Sequence, residues 1–294
     1  MSNLNLKGCG TALVTPFTAD GAVDYKAYAA LIDRQVKGGI DFLVALATTG
    51  ETPTLSSEEK VELLKLTHEH APGVPVVVGC GSNAVPSTLA NMKLLEPYGV
   101  DAWLVVVPFY NKPTQEGQYQ YFKAIAATTD KPIVVYNVPG RTGANMTAET
   151  CLRLARDVKN IVATKEASGK FEQIEAILKD APAGFSVLSG DDDMTLSIMK
   201  VGAKGVISVA SNVLPDKLVA MTNAALAGDF AKAEALEEPL KPLFKACFVE
   251  SNPIPAKAAL SILGCCTPAM RLPLVPASAA TTELMKNVLK DLGC

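Results

Sequence analysis

The stretch Ile161-Val162-Ala163-Thr164-Lys165-Glu166-Ala167-Ser168-Gly169 decides the fold. Its aliphatic and β-branched start suits a buried strand, and the polar, glycine-ended turn after Lys165 suits the exit from one. The same unit recurs along the chain: a short aliphatic strand, a loop of Gly, Thr, Asn or Pro, then an amphipathic helix. Strands are expected at Gly10–Val14, Phe42–Ala47, Pro75–Gly79, Ala102–Val106, Ile133–Tyr136, Ile161–Lys165, Phe185–Leu188 and Gly205–Val209. Helix signals fill the gaps. Asp24 can cap a helix over Tyr25–Lys37 that stops at Gly38-Gly39, and Ser56-x-x-Glu59 is a capping box opening a helix through His70. Strands alternating with helices call for a parallel sheet. Eight evenly spaced units favour closure into a (β/α)8 TIM barrel over the rival open, doubly wound sheet. Beyond about Leu214 only helix is expected. Residues 1–225 are read as the barrel and residues 226–294 as a C-terminal helical extension packed alongside.

Composition agrees with that architecture and excludes several function classes. Of 294 residues, 49% are hydrophobic and only 6% aromatic, a balance that suits parallel strands buried on both faces. The net charge of −3 comes without a basic block or acidic tail, so no nucleic-acid or membrane-surface partner is expected. The start, Met1–Lys7, is polar, and no apolar run approaches the ~20 residues needed to span a bilayer. Seven cysteines without C-x-x-C spacing read as free thiols in a reducing cytoplasm rather than disulfides or a metal site.

Barrel enzymes place their chemistry where strands end and the following loops begin. Here those positions are rich in hydroxyls and hold one strand-borne lysine, Lys165. By two-residue alternation it shares a face with Ala163 and Ile161. If that face points inward, burial draws the amine from its usual ~10.4 towards neutrality and leaves a nucleophile. Alternatively, the lysine lies past the strand end, solvated or paired with Glu166. Tyr136 ends the neighbouring strand, close enough to shuttle protons for Lys165 or simply to close a core layer. Thr48 and Thr49 share a tight turn with Gly50, which suits either ordinary turn chemistry or a backbone nest for a carboxylate. Arg141, in a loop braced by Pro139 and Gly140, can hold a carboxylate or form a surface ion pair.

Other features resemble sites without being them. Gly79-x-Gly81-x-x-Ala84 lacks the acidic strand end that a dinucleotide site requires, since helix is expected over Leu89–Leu95. Asp191-Asp192-Asp193 reads as a helix N-cap rather than a cation site. His68 and His70, two apart on a helix, cannot form a zinc pair. No metal and no cofactor are expected.

Taken in order, Thr48-Thr49-Gly50-Glu51, Tyr136-Asn-Val-Pro-Gly-Arg141-Thr and Lys165-Glu-Ala-Ser-Gly resemble the dihydrodipicolinate synthase / N-acetylneuraminate lyase family. Leu188-Ser-Gly-Asp-Asp and Asn252-Pro-Ile-Pro match as well, and the resemblance runs from about Gly8 to Pro276. It implies a Schiff-base aldolase that condenses pyruvate with L-aspartate 4-semialdehyde to 4-hydroxy-tetrahydrodipicolinate in lysine and diaminopimelate biosynthesis. Within that resemblance Lys165 takes the imine-forming position and Tyr136 that of the proton shuttle. Thr48 and Tyr110 complete a hydroxyl relay, with Tyr110 reaching in from a neighbouring subunit of a homotetramer (a dimer of dimers). Thr49 falls on the pyruvate-carboxylate nest, Gly190 and the Ile207 carbonyl line the pocket, and Arg141 receives the carboxylate of the semialdehyde. Two alternatives remain: an aldolase for N-acetylneuraminate or keto-deoxy sugar acids, and a non-catalytic barrel that senses a ligand. Relatives inhibited by lysine carry His, Glu and Tyr in a cleft between subunits beside an asparagine. This chain keeps Asn83 but places Ser57 and Lys60, Ser87 and Phe109 at those positions, so weak or absent lysine inhibition is expected.

Overall fold

The computed structural model describes residues 6–294; Met1–Asn5, part of the polar start, lie outside them. Strand and helix alternate in chain order: β1 (Gly8–Ala12), α1 (Tyr25–Lys37), β2 (Phe42–Ala45), α2 (Ser57–His70), β3 (Val76–Gly79), α3 (Val85–Leu95), β4 (Ala102–Val106) and α4 (Gln115–Ala126). There follow β5 (Ile133–Asn137), α5 (Pro139–Thr142), α6 (Ala148–Asp157), β6 (Ile161–Glu166), α7 (Phe171–Asp180), β7 (Ser186–Ser189), α8 (Thr195–Lys200) and β8 (Gly205–Ser208). All eight strands pair in parallel with their sequence neighbours, and β8 closes onto β1 with Ile207 opposite Gly10. The barrel is the fold the strand count predicts.

Local chemistry explains where the elements begin. The Asp24 carboxylate accepts from Ala27 N at 2.9 Å and opens α1. At α2 the capping box is complete: Ser56 Oγ accepts from Glu59 N at 3.2 Å while Glu59 returns the bond to Ser56 N at 2.9 Å. One side of each strand, including Ala12, Val44, Leu104, Val134, Ala163 and Ile207, fills the barrel interior. The other side packs against the helices in a larger outer core around Trp103, Phe122 and Ile133. Gly10 is required because its neighbour on β2 lays an aromatic ring where a Cβ would stand (Phe42).

Two expectations are corrected. Ile161 does not share the face of Lys165: the β5/β6 register shifts at Ile133/Val134, pairing Ile133 with Ile161 but Val134 with Ala163. The extra residue, Val162, turns towards the interior, and Ile161 joins the outer core. The Asp191–Asp193 run does not cap a helix with its side chains. Asp192 is instead buried, its carboxylate accepting from Val209 N at 3.1 Å and Ala210 N at 2.9 Å beyond β8.

After β8 the chain is helical: α9 (Pro215–Leu226), α10 (Phe230–Glu237), α11 (Lys241–Ala246), α12 (Ile254–Ile262) and α13 (Ala279–Asp291). Helix α9 packs on β1, and α13 lies against α11 and α12. No helix among the described residues is long and apolar enough to cross a membrane. The cysteines there are all free, with Cys9, Cys80, Cys151 and Cys247 buried.

Candidate active site

Lys165 stands opposite Tyr136 in the β5/β6 ladder, and its Nζ lies 4.3 Å from the centre of the tyrosine ring. Only 4% of Lys165 is exposed, so the amine loses hydration with little compensation. That desolvation brings its pKa from 10.5 down to about 8, with Arg141 adding repulsion and Asp191 and Asp192 opposing the fall. Glu166 takes no part, because strand alternation turns it to the outer side. Burial also pushes the Tyr136 phenol up to about 12, while Arg141 and the Thr48 hydroxyl draw it back. The phenol is therefore a proton donor at neutral pH, next to an amine that is partly free.

The turn after β2 is built around strain. Leu46 and Glu51 bracket Thr48–Gly50 with left-handed φ values of 56° and 51°, which side chains other than glycine seldom adopt. A buried ion pair holds the far end: Lys257 Nζ on α12 reaches Glu51 Oε1 at 2.7 Å, with both side chains inaccessible. Glu51 Oε2 also accepts from Arg271 N at 3.2 Å. Beside it, Asn252 Nδ2 donates to Thr49 Oγ1 at 3.0 Å, and the Asn252 carbonyl accepts from Arg141 Nη2 at 3.2 Å. The extension thus braces both sides of the strand-end site.

Arg141 lies not in an open loop but in α5, a single helical turn. Pro139 starts it at a position where no amide donor is missed, and Gly143 ends it with φ 71°. The guanidinium is exposed and spends one donor on Asn252, leaving others free at the rim. A cavity of about 390 Å³ opens there, lined by Thr48, Tyr136, Val138 and Arg141, and runs on past Gly79 and Phe109 to Lys60. Gly190 N donates to the Glu166 carbonyl at 2.7 Å, and a Cβ on Gly190 would stand 2.5 Å from that of Ala167 and 3.2 Å from Lys165 Cε. Ile207 is fully buried on β8 as part of the interior layer that holds Tyr136.

The chain therefore gathers Lys165, Tyr136, Thr48, Thr49, Arg141, Gly190 and Ile207 around the strand ends. Tyr110 does not join them: it is 87% exposed with φ 71°. Sequence reasoning missed Asp191, whose carboxyl burial and the charge of Asp193 raise to about 6 while Lys165 pulls it down. It also missed Asn252 as a brace, although the Asn-Pro-Ile-Pro motif marks the place. Among the described residues no group of three or more His, Cys, Asp or Glu is placed to hold a metal ion.

A closed parallel barrel with a near-neutral lysine facing a tyrosine at its strand ends defines a class: a (β/α)8 enzyme equipped for amine chemistry on a small carbonyl compound. Comparison with known proteins narrows it. The model of the dihydrodipicolinate synthetase family matches residues 5–292, and the chain belongs to that family. It is 50% identical to a 4-hydroxy-tetrahydrodipicolinate synthase of Phocaeicola vulgatus over 99% of each chain. The crystal structure of dihydrodipicolinate synthase from Thermotoga maritima is 46% identical and covers 99% of each chain with a TM-score of 0.97. That of the chloride-inhibited enzyme from Acinetobacter baumannii, complexed with pyruvate, is 39% identical, with coverage of 98% and 99% and a TM-score of 0.95.

Proposed function

We infer that the chain condenses pyruvate with L-aspartate 4-semialdehyde to give 4-hydroxy-tetrahydrodipicolinate, through an imine on Lys165. The observation that carries this reading is the buried Lys165 amine, brought to about 8 and set 4.3 Å from the Tyr136 ring. At pH 7.5 such an amine is about one quarter neutral, against roughly one part in a thousand for an ordinary lysine. Full-length similarity to synthases of this name, and a relative that binds pyruvate, support the substrates.

The steps follow from the residues. Neutral Lys165 Nζ attacks the pyruvate ketone while Tyr136 supplies a proton to the oxygen, and loss of water gives a protonated imine. The imine draws electrons from the adjacent methyl group, so removal of a proton there yields an enamine. The enamine carbon attacks the aldehyde, and the amine of the bound semialdehyde then displaces Lys165 as the ring closes. Thr49 and its turn hold the pyruvate carboxylate, Gly190 and the Ile207 carbonyl shape the pocket, and Arg141 receives the semialdehyde carboxylate. Thr48 and the Tyr110 of a second copy carry protons to and from Tyr136. The exposed, left-handed Tyr110 supports that role, because 87% exposure leaves its side chain open to a second copy.

In the same reading the protein is a cytoplasmic homotetramer, built as a dimer of dimers and working without metal or organic cofactor. Residues 1–225 carry the site and residues 226–294 brace it. The test is to offer the chain pyruvate with L-aspartate 4-semialdehyde, and separately N-acetylneuraminate and keto-deoxy sugar acids. Turnover confined to the semialdehyde, and lost in Lys165→Ala, is expected. Preference for a sugar acid overturns the assignment of the second substrate, and turnover that survives Lys165→Ala overturns the imine.

A further inference from the structure

The inner face of the β5/β6 ladder carries Tyr136 opposite Lys165; one residue further on, the outer face carries Asn137 opposite Glu166. Both outer residues are 1% exposed. Asn137 Nδ2 lies 3.0 and 3.3 Å from the two Glu166 carboxylate oxygens. Glu166 Oε1 also accepts from Ser168 N at 3.0 Å, on the turn that follows β6. Through the backbone, Ala167 N donates to the Asn137 carbonyl at 2.9 Å and Gly190 N to that of Glu166. Glu166 is thus tied to the ends of β5 and β7 as well as to its own turn.

Such a clamp is expensive. No cation among the described residues forms a salt bridge with Glu166, and burial pushes its carboxyl up to about 7 against the pull of the Ser168 and Asn137 hydrogen bonds. The ladder nonetheless needs the clamp. A bulge at Val162 breaks the regular pairing at the start of β6, so the register with β5 at the top rests on the four pairs from Val134–Ala163 to Asn137–Glu166, the last of which carries the clamp. A slip of one residue would turn Lys165 outward and Glu166 into the barrel.

We propose that Asn137 and Glu166 are the positioning pair of the site: their hydrogen bond, made behind the two strands, holds the register that sets Tyr136 against Lys165. This rests on the reading of Lys165 as the imine-forming amine. Neither residue touches substrate. Glu166 acts through its acceptor oxygens, chiefly Oε1, so a glutamine there keeps the Oε1 bonds to Asn137 and Ser168 and loses only the longer Oε2 contact.

The experiment compares the full chain with Glu166→Ala, Glu166→Gln, Tyr136→Phe and the double variant Glu166→Ala/Tyr136→Phe. It reads the rate of pyruvate trapping on Lys165 by cyanoborohydride, turnover and KM for pyruvate. Glu166→Ala should slow trapping and turnover about 10- to 100-fold, the loss expected of a misplacement of about 1 Å. KM should stay within about threefold, since the carboxylate nest is untouched. Glu166→Gln should return to within about fivefold of the parent. Because Glu166 works through Tyr136, the double variant should be no more than about twofold slower than Tyr136→Phe alone. Losses that multiply, or a Glu166→Gln as slow as the alanine variant, overturn the proposal. If Glu166→Ala does not fold, Asn137→Ala, which leaves the Ser168 bond intact, takes its place in the same cycle. A parent chain that traps no pyruvate on Lys165 overturns the imine reading and this inference with it; trapping in the parent with multiplying losses overturns this inference alone.

Discussion

Replacing Lys257 by methionine should cost the protein far more than the ion pair it removes is worth. Lys257 Nζ and Glu51 Oε1 are 2.7 Å apart with no access to water. At an effective dielectric of about 20 their attraction is about 6 kcal/mol. Burial still holds the Lys257 pKa below the ordinary lysine range, although Glu51 pulls it upward. Desolvation therefore outweighs attraction, and the intact pair is close to break-even. Removing one partner is another matter, because Lys257→Met strands the Glu51 carboxylate with Arg271 N as its one remaining donor among the described residues. The expected cost is about 3–5 kcal/mol. For a chain of this size that lowers the thermal midpoint by roughly 6–20 °C. Glu51→Gln should cost a similar amount, and the double variant Glu51→Gln/Lys257→Met should recover more than half of either loss. Scanning calorimetry of the four proteins gives the cycle. A Lys257→Met midpoint within about 2 °C of the parent, or a double variant as low as the sum of the singles, would refute the reasoning. The Thr48–Gly50 turn is anchored by this pair, so KM for pyruvate should rise in the single variants and recover in the double.

Three further outcomes are expected. Arg141→Ala should still trap pyruvate on Lys165 yet lose about 10²-fold or more in condensation with L-aspartate 4-semialdehyde, as for a lost charge-assisted contact of ~3 kcal/mol; equal loss of both functions, read by mass spectrometry and turnover, would assign it a structural role. The trapping rate should climb about tenfold per pH unit below 7 and level off above about 8, because the neutral amine reacts and its pKa is lowered; a rate still climbing steeply at pH 9.5 would mean an ordinary solvated lysine. Steady-state rates should change little across a lysine titration, since half-buried Lys60 lines the cavity where an incoming ammonium would meet a like charge. Strong partial inhibition at sub-millimolar lysine would contradict that.

The fold was largely legible because each strand is a short aliphatic run punctuated by Gly, Asn or Pro, and because Asp24 and Ser56-x-x-Glu59 announce their helices unambiguously. The strand ends were less so: β1 begins and ends two residues earlier than expected, β2 stops two residues early and β8 one, and β7 is shifted by one residue at both ends, where pairing rather than propensity sets the limit. Strict alternation failed at Ile161, since a bulge leaves no mark in a run of four residues that all suit a strand. Lys165, Tyr136 and the Thr48–Thr49 turn were legible as polar residues at strand ends, where the barrel rule directs attention. Asn252 and Lys257 were not, because they lie more than 200 residues from Thr49 and Glu51 and only the tertiary fold brings them together. Asp192 looked like a cap for want of any sequence sign that Val209 and Ala210 would offer it their amides. Glu166 looked like a partner for Lys165, although adjacent residues on a strand face opposite ways.

The central claim is that the Lys165 amine forms an imine with pyruvate. Incubating the full chain with pyruvate and borohydride, digesting it and sequencing the adduct by mass spectrometry tests it directly. The account predicts a single reduced pyruvyl adduct on Lys165, absent without pyruvate and absent in Lys165→Ala. An adduct on another lysine, or none at all while condensation still proceeds, would contradict it.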